Sequence, residues 1–205
     1  MNIEQVIFDV AEALRYPVLV LALASLALVL VETGAFAVEA VRRRRRDTAR
    51  LERVAQSARG ALDEGDVPAA RRALQQVAWS GAMATTLGVI AERVRATGGP
   101  DRVAKALADF DFASVRRLER TRVLVRAGPA LGLMGTLIPL APALAGLAEG
   151  DVAQLSRNLQ VAFSVTVLGL LVGAIAFGIS LVRDRLYGQD LSDLEFVVAT
   201  LETPK

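Results

Sequence analysis

Charged residues are missing from three stretches of the chain and crowded into the rest. Ala127 to Ala148 runs 22 positions without an acidic or basic residue, and Leu159 to Val182 runs 24. About 20 residues at about 1.5 Å each cross the hydrocarbon core of a bilayer, so both stretches predict membrane-spanning helices. A third stretch, Pro17 to Val31, is uncharged for 15 residues and continues apolar to Val41 if Glu32 and Glu39 are tolerated. It predicts a first span over 17–41, with its end near an interface or with Glu32 facing protein. Ahead of it, Ile3, Val6, Ile7, Val10 and Leu14 recur at helical spacing with Glu4, Asp9 and Glu12 between them. That is the pattern of a short amphipathic helix over residues 2–15. It either lies along the outer face of the membrane or packs on the bundle as an extension.

Between the first two spans the chain keeps helical patterning but becomes highly charged. Asp47 to Leu62 is rich in alanine, arginine and glutamate, with no breaker until Gly60. Asp63-Glu64-Gly65-Asp66-Val67-Pro68 reads as a turn followed by a helix start, with Asp66 as cap and Pro68 in the first turn. One helix is expected over 69–96. It contains the apolar patch Trp79 to Ile90, which at twelve residues is too short to cross a membrane and predicts a buried cytoplasmic helix or a subunit contact. Gly98-Gly99-Pro100-Asp101 marks a second break with Asp101 as cap, after which Arg102 to Val125 reads as a long helix running into the second span. There is no strand-like alternation of any length and no repeat of fixed period.

The predicted fold is therefore all-α: an integral membrane protein with three transmembrane helices and a helical cytoplasmic domain. Its segments are an amphipathic outer-face helix (1–16), the first span (17–41), a basic cytoplasmic region (42–125), the second span (126–148), a short outer link (149–158), the third span (159–182) and a cytoplasmic tail (183–205). A composition of 53% hydrophobic but only 5% aromatic residues agrees with this.

The formal charge of +2 conceals an asymmetry, because Arg42 to Arg126 holds 19 basic and 10 acidic residues. The segment before the first span and the link between the second and third are each net acidic, whereas Arg183 and Arg185 follow the third span at once. Basic flanks stay on the cytoplasmic side. This sets the amino terminus outside and the long loop and carboxyl terminus inside, in the inner (cytoplasmic) membrane of a bacterium or archaeon. A cleaved signal peptide is the rival reading of the first span, but its leading region would be basic, and here it is acidic. The run Arg42, Arg43, Arg44, Arg45 and Arg46 directly follows a span, so it reads as a topology signal in contact with anionic lipid rather than as a nucleic-acid patch.

Cysteine and histidine are both absent, which excludes disulfide scaffolds, thiol catalysis and the usual zinc and haem ligand sets. No metal or cofactor is expected. No pairing of carboxylates at a span end suggests an enzyme; Asp184, Asp190, Asp193 and Glu195 read as a solvated tail.

Small residues dominate one face of each of the last two spans. Gly128, Gly132, Gly135, Thr136, Pro139, Ala143 and Gly146 share a broad face of the second. Ala162, Thr166, Gly169, Gly173, Ala176 and Ser180 step by three or four along the third. Such stripes let helix backbones approach closely in lipid. A lone threonine satisfies itself on a carbonyl one turn back, but two on facing stripes fit either helix packing or a narrow polar route. Pro139 and Pro142 each remove a backbone donor, leaving carbonyls for water, an ion or a neighbour, or simply kinking the helix. Thr136, Thr166, Pro139 and Ser180 are the residues assigned to such a route. Neither span holds an ionisable residue, so a proton carrier has to come from another chain or from Glu32.

The sequence Gly128-Pro129-Ala130-Leu131-Gly132-Leu133-Met134-Gly135-Thr136-Leu137, with Thr166-Val167-Leu168-Gly169-Leu170 downstream, resembles the MotA/TolQ/ExbB proton-channel family over roughly Arg120 to Arg185. The span count, the long insertion after the first span and the outside amino terminus are similar to the TolQ and ExbB branch, whereas flagellar MotA has four spans. The resemblance implies a homo-pentamer around the single spanning helices of two copies of a small MotB-, TolR- or ExbD-type partner. It further implies that the partner's membrane aspartate carries the proton, that Thr136 and Thr166 face the pore near it, and that ion flow turns one component against the other. Two departures mark a divergent branch. Val161, beside Gln160, stands where ExbB and TolQ have a glutamate, and Pro139 and Pro142 replace an apolar, tryptophan-containing stretch. A purely structural membrane scaffold, recruiting a partner through its basic loop, is the competing reading.

Overall fold

The computed structural model describes residues 2–43 and 47–202, and the described residues form helices and turns with no strand. Among the described residues seven helices follow one another: α1 (Ile3–Ala13), α2 (Arg15–Arg43), α3 (Thr48–Asp63), α4 (Val67–Gln75), α5 (Gly81–Arg93), α6 (Gly99–Ala148) and α7 (Val152–Glu202). Three helical stretches, Ile3–Arg43, Gly99–Ala148 and Val152–Glu202, are long and apolar enough to cross a membrane. With 50 residues, α6 is about 75 Å long, far more than the ~30 Å hydrocarbon core. It is one uninterrupted helix through the segment read from sequence as helix followed by span, despite Pro129, Pro139 and Pro142 in its interior.

Local chemistry explains the boundaries. Asp47 accepts a hydrogen bond from the Ala49 amide, Asp66 from Ala69 and Ser80 from Met83, each holding a first-turn donor. Asp151 does the same for Gln154 at 2.8 Å. Gly150 turns the chain between α6 and α7 at φ +80, a conformation that favours glycine.

The chain divides into two compact units. The first comprises the residues up to Phe36 together with Glu119–Leu181. Val18, Ala22, Ser25 and Val29 are its buried face on α2, and Leu21, Leu23, Leu28, Leu30 and Val31 are exposed. Exposed leucine and valine on this scale are what a helix shows to lipid. Leu124, Val172 and Ala176 close on Val29 to form a small apolar core.

The second unit comprises Ala37–Leu118 and the residues from Val182 onward. Its core gathers Leu51, Ala55 and Ala58 of α3, Ala70 and Leu74 of α4, Met83, Leu87, Ile90 and Ala91 of α5, Val103 and Phe110 of α6, and Leu194, Val197 and Leu201 of α7. The apolar patch at 79–90 is thus buried against helices of its own chain.

Three readings need correction. The helix expected over 69–96 is two, because the amides of Gln76, Val77 and Ala78 bond three residues back and Ser80 caps a new helix. Asp101 does not cap: α6 starts at Gly99, with Asp101 in its first turn. The segment 183–202 is no solvated tail but the continuation of α7, whose Leu194, Val197 and Leu201 are fully buried.

Candidate functional site

In the first unit the small faces of α6 and α7 meet. Gly128, Gly132, Gly135 and Pro139 on α6 and Ala162, Gly169, Gly173, Ala176 and Ser180 on α7 are all buried. A Cβ on Gly128 would lie 2.7 Å from the Gly169 carbonyl oxygen, and one on Gly173 would lie 2.9 Å from the Pro129 ring. The stripes therefore bring the two backbones into contact, which a larger side chain at these glycines would prevent.

Thr136 and Thr166 are half-buried on this seam. Thr166 donates to the Ala162 carbonyl at 3.1 Å and to the Gly132 carbonyl, across the seam, at 3.2 Å. Thr136 donates to Leu133 at 2.7 Å and stands 3.5 Å from the same Gly132 oxygen. The structure thus brings both hydroxyls to one carbonyl. Pro139 and Pro142 lack the N–H groups that would engage the Gly135 and Ile138 carbonyls, and these residues line cavities shared with Arg15. The larger cavity, about 150 Å³, also takes in Phe8, Glu12 and Ala141. Arg15 donates to Asn158 at 3.2 Å and, with Val161, lines the smaller cavity. The Arg15–Asn158 tie was not foreseen; its only trace in the sequence is a single basic residue ahead of the first span.

The second unit contains an ion cluster that sequence reasoning missed. Arg43 was assigned to lipid contact, yet its side chain is only 7% exposed. It donates to both oxygens of Asp190, at 3.1 and 2.7 Å, and to Glu39 at 3.0 Å. Glu39 also accepts from Arg183 at 3.3 Å. The Arg43 guanidinium lies over the Trp79 ring, 3.7 Å from its centroid, a cation–π contact, and the Trp79 indole donates to Asp190 at 3.0 Å. Burial pushes the Asp190 carboxyl up to about 6, against the pull of Arg43 and the indole hydrogen bond. Burial also raises the Tyr187 hydroxyl, with Glu39 adding to the effect. Arg42 is exposed, and Arg44, Arg45 and Arg46 lie outside the described residues. Among the described residues no group of three or more acidic side chains is placed to hold a metal ion.

Three helices of membrane-spanning length and a neutral, glycine-rich seam define a helical membrane protein built for close packing between spans. Residues 101–189, which take in the whole seam, match the model of the MotA/TolQ/ExbB proton channel family. No curated protein is similar enough to match the chain.

Proposed function

We propose that the chain is a proton- or sodium-driven channel and motor subunit of the inner (cytoplasmic) membrane, of the TolQ and ExbB type. Five copies form a sheath around the membrane helices of a small MotB-, TolR- or ExbD-type partner, whose aspartate carries the ion. Thr136 and Thr166 then hydrogen-bond that aspartate or its water, and the ring converts ion flow into mechanical work. The basic flanks put the amino terminus outside and the carboxyl terminus in the cytoplasm.

The observation that carries this reading is the seam. Two hydroxyls converge on the Gly132 carbonyl, in spans without an ionisable side chain, inside the segment that matches a proton-channel family. Such spans need a titratable group from another chain if they are to pass protons. The test is the double variant Thr136→Val with Thr166→Val, expressed with the partner that co-purifies with the chain. Mass measurement should still give five copies, while ion uptake driven by a membrane potential falls at least tenfold. Unchanged uptake refutes the reading.

One observation favours the scaffold instead: both hydroxyls already donate to carbonyls of their own chain, as packing residues do. Under that reading the double variant assembles and works normally.

A further inference from the structure

The cavity of about 150 Å³ in the first unit lies between the amino-terminal helices and α6. Glu12 and Arg15 line it on one side, Ile138 and Pro142 on the other, with Phe8 and Leu137 among its apolar walls. Glu12 and Arg15 are the last charged residues before the uncharged run that opens the first span. The cavity therefore sits where the hydrocarbon of a membrane gives way to headgroups. Phe8 and Leu137 are both exposed there, so its rim is apolar.

Three polar groups at this cavity lack the partners their chemistry calls for. Arg15 gives one Nη group to Asn158, which leaves most of its N–H donors without a partner among the described residues. The Glu12 carboxylate has neither an ion pair nor a side-chain hydrogen bond among the described residues. Pro142 brings no N–H to the Ile138 carbonyl. Glu12 and Arg15 are three positions apart, and Leu14 between them keeps a right-handed helical φ of −75, so the two charges stand on one face. The cavity thus presents a cation, an anion and a carbonyl acceptor together, none of them satisfied by the chain itself.

We propose that this cavity holds the headgroup of one phospholipid bearing a primary ammonium, of the phosphatidylethanolamine class. The phosphate takes the Arg15 guanidinium, a charge-assisted contact that suits its planar fork. The ammonium, an oxygen and two carbons further on, donates to the Glu12 carboxylate and the Ile138 carbonyl. The volume equals that of about five water molecules at about 30 Å³ each, which is room for an ethanolamine arm and not for a second helix. The acyl chains stay outside, along the exposed apolar surface of Phe8 and Leu137. Charge and donors select the lipid: an anionic headgroup brings no cation to Glu12, and a quaternary ammonium brings no N–H to either acceptor. The bound lipid ties α1, which has no buried residue of its own, to α6. The site stands whether or not the seam conducts ions.

The full chain, stripped of lipid in detergent and reloaded with one synthetic phospholipid at a time, is weighed by native mass spectrometry. The first phosphatidylethanolamine should bind roughly fivefold or more tighter than phosphatidylglycerol or phosphatidylcholine with the same chains, the worth of one partly exposed charged contact. Glu12→Gln should remove that preference and leave phosphatidylglycerol binding no weaker. Arg15→Gln should weaken first-site binding of all three lipids by roughly fivefold or more. Glu12 is exposed and unpaired, so its variant decides the matter should loss of the Arg15–Asn158 bond disturb the fold.

Equal affinity for the three lipids, or a preference that survives Glu12→Gln, overturns the assignment. Complete displacement of the lipid by glycerophosphoethanolamine, which has the headgroup without the chains, makes the ligand a soluble one and overturns it as well. Should a second copy of the chain cover the cavity, the assembled complex binds no first lipid with this preference, and that result overturns it too.

Discussion

Gly169→Ala tests the backbone contact on which the membrane unit is built. A Cβ at this position would lie 2.9 Å from both the Cα and the N of Gly132, and would also press on the Gly128 carbonyl. Carbon contacts are most favourable at about 3.5–4.0 Å. The obstacle is main chain, which cannot swing aside as a side chain does, so α6 and α7 must part by roughly 0.6–1 Å. That movement stretches the 3.2 Å hydrogen bond from Thr166 to the Gly132 carbonyl beyond useful length. Overpacking costs about 1–3 kcal/mol and the lost hydrogen bond about 0.5–1.5 kcal/mol. Alanine's better helix propensity returns about 1 kcal/mol. The net expectation is a loss of roughly 0.5–3.5 kcal/mol. The matched control is Gly178→Ala on the same helix, where nothing lies within 4 Å of the added carbon and a gain of about 0.5–1 kcal/mol is expected. Thermal unfolding of the two variants in one detergent, followed by loss of helicity, makes the comparison. Gly169→Ala melting at or above the wild type would refute the close approach of the two helices.

Leu194 is fully buried in the core of the second unit, so Leu194→Ala should cost about 2–5 kcal/mol. A melting temperature within error of the wild type would mean that residues 183–202 contribute no packing. The raised carboxyl of Asp190 gives a pH dependence of definite sign. Its proton is held more tightly in the fold than in the unfolded chain, so this contribution is complete below about pH 3.8 and is lost as the pH rises through about 6. Relative to Asp190→Asn, the wild type should therefore lose roughly 2–3 kcal/mol of stability between pH 4 and pH 7. Unfolding measured at several pH values checks this, and parallel curves for the two proteins would contradict it.

What could be read from the sequence is what depends on neighbours along one helix. Uninterrupted uncharged runs announce spans, and glycine at every third or fourth position announces a packing stripe, because both follow from helical geometry alone. The ion cluster depends on residues that the chain brings together from far apart. Arg43 and Asp190 are separated by 147 positions, and in sequence Arg43 is indistinguishable from the other arginines of its run. Asp190 likewise stands among Asp184, Asp193 and Glu195, whose charge suggested a solvated segment. The apolar residues between and beyond those acids, Leu191, Leu194, Val197, Val198 and Leu201, recur at helical spacing and pack on the core. That periodicity was visible but was outweighed by the acidic residues around it. The break before α5 was hidden for a related reason: Ser80 is a weak signal by itself, and the turn it closes sets Trp79 against a carboxylate far along the chain. Where a charged residue sits along the chain can predict which side of a membrane it occupies. Whether it is solvated or buried is decided by the partner that meets it, and here Asp190 draws Arg43 into a buried ion cluster.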